Sequence, residues 1–182
     1  IELQGIFVDS PVANLKYRTK THSGRTTSTG EFLYEEGEVV TFSIGDLDFP
    51  SILASSLITP LDLVNTTDIY HPEAVNIARL LQTLDMDGNA ENGIEIGDDA
   101  HSAAQGVVAH FYSYEEFDMS VSIIVTNSGA IKTQLVSGLE AIEHLRDTLG
   151  HTEPQTDPTA LISSIVFQDN ALKACVDATA SF

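Results

Sequence analysis

The chain has 182 residues, 42% of them hydrophobic, which is enough for a packed core in one sizeable domain or two small ones. Its 27 acidic residues against 8 basic ones give a formal charge of -19, a surface that repels phosphate backbones and anionic lipid and argues against nucleic-acid partners. No apolar run reaches the ~18 residues of a membrane span, so this segment is not expected to insert, and cations are the natural partners.

Residues 1 to 50 predict strands. Leu3 and Phe7 alternate with Glu2 and Gln4, and Val40, Phe42 and Ile44 alternate with Thr41 and Ser43, the period of half-buried antiparallel strands. Asp9-Ser10-Pro11, Ser23-Gly24, Thr29-Gly30 and Glu36-Gly37 supply the turns. A small antiparallel β-sandwich over residues 1–60 is the expectation, with Ile1 to Val8 as a free edge strand open to pairing with a neighbour.

Residues 51 to 71 read as a connection with apolar islands. Pro72 then opens a helix whose stripe is Ala74, Val75, Ala78, Leu81 and Leu84, widened by Ile77 and Leu80. Asp98 and Asp99 with the alanines to Gly106 suggest a short helix or an irregular turn. Ser113 with Glu116 has capping-box form, but the β-branched run Val121 to Val125 leaves helix and strand both open. Ser137 with Glu140 repeats the box, and Leu139, Ile142, Leu145 and Leu149 make a stripe that stops at Gly150. The fold class is therefore α+β, a sandwich followed by a helical subdomain over residues 61–150. Residues 151–182 read as a linker around Pro154 and Pro158 and a C-terminal segment that packs back or leads to a further domain.

Two resemblances bear on this plan. Val12 to Tyr17, Thr26 to Tyr34 and Gly37 to Phe42 resemble the transthyretin-like or carboxypeptidase-regulatory sandwich of surface proteins, which implies a stabilising or adhesive module. The wider run, with Thr59-Pro60-Leu61-Asp62-Leu63, a helix and the loop from Leu84 to Ile94, is similar to an uncharacterised module at the front of bacterial secreted proteins and lipoproteins. That likeness implies an extracellular or cell-surface location. Phe167 to Val176 resembles the lead-in to some leucine-rich repeat arrays, which implies a chain continuing past Phe182 and a partner for the sole cysteine, Cys175, within that continuation. Ile1 in the first position is expected of a processed or trimmed protein.

The most specific chemistry lies at Asp85 to Ile96, which reads as a calcium loop. Asp85, Asp87 and Asn89 hold positions one, three and five of a tight turn, the spacing that lets side-chain oxygens converge on one hard cation. Glu91 would offer its carbonyl and Asn92 its side chain, with Glu95, Asp98 or Asp99 to complete the six to eight oxygens calcium takes. The loop is not an EF-hand, because Gly88 comes at position four rather than six and Ile96 stands where a bidentate Glu would close the site. The bland alternative is a pair of Asp-Gly and Asn-Gly turns with solvated acids.

Other constellations favour bland readings. Asp46 and Asp48 with Asp9 suggest a polar strand end, and His22, His71, His101, His110, His144 and His151 show no metal-ligand spacing, as expected of surface or capping residues. No nucleophile elbow or Cys-His arrangement is present, and no enzyme is expected. The function so read is an extracellular calcium-stabilised structural or adhesive module, able to self-assemble into fibres by strand addition. A calcium-dependent glycan- or ligand-binding module is the alternative, and a metal-dependent hydrolase stands third.

Overall fold

The structure, a computed structural model, describes residues 1–150, and Ile1–Gly150 forms one compact unit. His151, the linker, the repeat-like segment at 167–176 and Cys175 lie outside the described residues.

The architecture is α+β, with mixed rather than purely antiparallel sheets. One sheet has β1 (Glu2–Phe7) in the middle, antiparallel to β5 (Glu31–Glu35) and parallel to β9 (Leu57–Ile58). In a second, β4 (Ser23–Arg25), β3 (Lys16–Arg18), β6 (Val39–Ile44) and β7 (Leu47–Asp48) follow in that order, and β8 (Ile52–Leu53) also pairs with β6. A parallel pair of β2 (Val12–Ala13) and β10 (Ile94–Glu95) completes the set.

These pairings correct two expectations. The edge of β1 that was to receive a neighbouring chain is taken by β9 at Ile6 and Phe7. The connection at 51–71 is ordered into β8, β9 and the single turn α1 (Pro60–Leu63), closed by a reciprocal capping box between Thr59 and Asp62. Strands of two residues are too short to show an alternation in the sequence.

Aromatic side chains fill the space between the larger sheets. Phe7 of β1 meets Phe42 of β6 at 4.7 Å between ring centroids, and Phe32 of β5 meets Phe42 edge-on at 5.1 Å and Tyr17 of β3 at 5.8 Å. All four are buried, and the core they open runs on without a break into the helices.

The helices are α2 (Pro72–Thr83), α3 (Asp98–Ala103), α4 (Tyr114–Asn127) and α5 (Gly138–Leu149). Pro72 occupies the first turn of α2, where its missing N–H costs nothing. Ser113 caps α4 by accepting from the Glu116 amide, which settles the β-branched run as helix. Ser137 caps α5 in the same way, and Gly150 ends it in the left-handed region.

The stripe expected on α2 understates its burial. Every residue from Ala74 to Thr83 is buried, polar ones included, because α1, α4 and α5 pack around it. Its polar side chains are accordingly satisfied from within: Asn76 donates to the Phe111 carbonyl at 2.7 Å, and Thr83 takes the Val136 amide at 3.0 Å. Arg79, 7% exposed, donates to Asn76 Oδ1, to the Val136 carbonyl and to both oxygens of Asp118.

Candidate metal centre

The loop that follows α2 is built by its own backbone. Leu84 ends the helix, the Gly88 amide returns to the Asp85 carbonyl at 3.1 Å, and a 3-10 turn at Ala90–Asn92 leads into β10. Gly88 at φ 71° and Gly93 at φ 112° occupy conformations that side chains rarely adopt, so both glycines answer to geometry. The loop closes where Asp85 and Ile96 form an antiparallel bridge, with the Met86 amide donating to the Glu95 carbonyl at 3.0 Å. Parallel pairing of Ile94 with Val12 then fixes it to β2.

Asp85 is 1% exposed. Its Oδ1 accepts from the Glu95 amide at 3.0 Å, whereas Oδ2 is buried and has no hydrogen-bond partner among the described residues. Burial pushes its carboxyl above the ordinary 3.8, and the neighbouring Asp87 carboxyl adds to the rise. Asp87 is held below the ordinary value, first by the Asn92 amide on Oδ2 at 2.9 Å and then by the Asn89 backbone N–H on Oδ1 at 2.9 Å.

Asp85, Asp87 and Asn92 line one cleft of about 460 Å³, with Asn14, Ser28 and Glu95 on its walls. Asn89 and Glu91 line a different groove, beside Lys132 and α5. The side chains of Asp98 and Asp99 are turned to other contacts: Asp98 accepts from the Asn14 amide at 3.2 Å, and Asp99 lies against Gly129. Among the described residues, no group of three or more His, Cys, Asp or Glu side chains gathers for a metal. An ion at this loop would therefore be held by two carboxylates together with amide and main-chain oxygens.

The residues fit a hard cation on one physical ground. An ionised oxygen buried without a donor is costly, and a cation beside Asp85 Oδ2 removes that cost. Protonation of Asp85 serves the same end when no cation is present, in keeping with the rise that burial imposes on its carboxyl. The other buried side-chain atoms without partners among the described residues are Glu38 Oε1, Ser43 Oγ and His71 Nδ1, none in the loop.

The second acidic group does not assemble. Asp48 pairs bidentately with Arg18 at 2.6 and 2.7 Å, Asp46 accepts from the Gly106 amide at 2.9 Å, and Asp9 is fully buried against Gln82. Two histidines also depart from the surface-or-cap reading. His101 is buried, its Nδ1 taking the Gly45 amide at 2.8 Å and its Nε2 facing the Asn14 carbonyl at 2.8 Å, a neutral ring held below 6.5 chiefly by burial. His144 lies beside Asp9 and Ser10. Sequence signalled neither role, because the partners lie far away in the chain. Asn14 had a local signal, since asparagine tolerates its φ of 59° better than most residues. Neither a protein-family model, nor a curated protein, nor a solved structure matches this chain.

Proposed function

We propose that the chain is a structural module of the extracellular space or cell surface whose fold is reinforced by calcium at the Asp85 to Ile96 loop. The observation that carries this reading is the buried, partnerless Oδ2 of Asp85 beside a second carboxylate, in a loop whose glycines hold the turn. Calcium would supply the positive charge that lets both carboxylates ionise together.

The reading is structural because of what the loop joins. It starts directly after Leu84, which ends α2, and its last strand pairs with β2, so tightening it ties the central helix to the sheets. The surface charge of -19 suits surroundings rich in divalent cations, where screening keeps such a chain compact. The test is thermal melting of the purified protein in chelator and in millimolar calcium. The midpoint should rise in calcium, and identical midpoints would refute the proposal.

A further inference from the structure

We propose that Asp9, Gln82 and His144 form a protonation-controlled latch that holds α5 against the corner between β1 and β2 and releases it as the medium turns alkaline. The corner is tight. Ser10 takes φ 58°, in the left-handed region, and Asp9 beside it is fully buried. Gln82 Nε2, on α2, donates to the two Asp9 oxygens at 3.3 and 3.0 Å and to the Ala141 carbonyl of α5 at 3.3 Å. His144 Nε2, also on α5, stands 3.1 Å from Ser10 Oγ and 3.8 Å from Asp9 Oδ1. One carboxyl thus sits where a sheet corner and two helices meet, and among the described residues its hydrogen bonds come from a single neutral amide.

The charges around this junction are mostly of one sign. α2 contributes the neutral Gln82, α5 brings Glu140, Glu143 and Asp147 beside His144, the loop brings Glu91, and the segment before α5 brings Lys132. These residues border a groove of about 490 Å³. A protonated Asp9 needs no counter-ion, whereas an ionised one places a charge in a dry site whose one donor among the described residues is the neutral Gln82 amide.

Burial pushes Asp9 up to about 7, against the opposing hydrogen bond from Gln82, and burial likewise holds His144 below 6.5. Both shifts run against an ion pair, so the 3.8 Å approach is one of neutral groups. For an acid raised on folding, the stabilisation is complete below its unfolded value of 3.8 and is lost as pH rises through about 7. His144 runs the other way: its contribution is complete above 6.5 and falls off as pH drops through its folded value, which bounds the latch on the acid side.

α5 is the element free to respond. Its buried Ile142 and Leu145 pack with Leu61, Ile69, Ala74 and Val75 in a cluster separate from the main core, so the helix can loosen while the sheets stay closed.

The test is native-state hydrogen exchange on the full chain at about pH 6 and about pH 8.5, corrected for the intrinsic pH dependence of exchange. Protection across residues 138–149 should fall about tenfold relative to β6 at the higher pH, and Asp9→Asn should abolish that difference. Equal protection at both pH values, a loss shared by β6, or a loss that persists in Asp9→Asn would overturn the proposal. Should Asp9→Asn fail to fold, the carboxyl carbon-13 titration of Asp9 in the unaltered chain decides: a midpoint above about 6 supports the latch and one below it refutes it.

Discussion

Asp85 and Asp87 carry neighbouring carboxyls that titrate in opposite directions: burial raises Asp85, whose Oδ2 has no donor among the described residues, while the Asn92 amide and the Asn89 N–H, one on each oxygen, lower Asp87. The pair is therefore one donor or one cation short. With calcium at ~100 times its dissociation constant, mass action contributes roughly 2.7 kcal/mol, which for a chain of this size raises the melting midpoint by about 5 to 10 °C. Calorimetry in chelator and in calcium measures the shift directly.

Asp85→Asn separates that reading from an ordinary turn. The amide keeps an oxygen for the Glu95 N–H and brings an N–H₂ toward Asp87, removing the like charge. In chelator the variant should be as stable as the unaltered chain or more so, by up to ~1 kcal/mol, while its response to calcium disappears. A variant that melts early in chelator and still responds to calcium would place the ion elsewhere.

Arg79 gives a prediction independent of any ion. It is the sole base between residues 26 and 131, and its guanidinium reaches Asn76, Val136 and Asp118 and lies 5.6 Å from the Tyr114 ring centroid. Arg79→Met keeps the apolar stem but strands the buried Val136 carbonyl and the Asn76 oxygen, at a cost of about 3 kcal/mol. Loss of the Asp118 pair adds little, since that carboxylate is half exposed. Arg79→Lys should recover less than half, for want of the planar fork. Urea denaturation of both variants at neutral pH measures the difference.

What the sequence disclosed was local. Pro72, the serine caps at 113 and 137 and the stop at Gly150 act within one helical turn of themselves, and each stands where the pattern placed it. The alternation in β1 and β6 likewise marked strands, but partner and direction were set elsewhere: Ile58 lies beside Phe7, and Ile94 beside Val12, through pairings that neither segment encodes alone. The loop's acids and glycines were legible as a cluster. That Asp85 Oδ2 would be the buried, unpartnered atom depends on how β10 docks on β2. Asp9 was read as part of a polar turn, and it is a turn; the groups that meet its carboxyl, Gln82 of α2 and His144 of α5, lie far away in the chain.

His101 gives the last prediction, because its ring joins α3 to the β3 region and to the turn after β6. Nδ1 is the acceptor for Gly45, a residue at φ 57° whose added Cβ would collide with the His101 carbonyl oxygen, so ring and turn fit only together. The ring's folded value is depressed, so its contribution is fully present above 6.5 and is lost as pH falls through that depressed value. Once protonated, Nδ1 can no longer accept the Gly45 N–H, and the loss should be about 1 to 3 kcal/mol. Asp9 gains stability over the same acid range, so the effect is isolated as the difference in urea midpoint between the unaltered chain and His101→Gln from about pH 7 to pH 5. The two midpoints should converge as pH drops; a constant gap across that range would refute the expected loss on protonation.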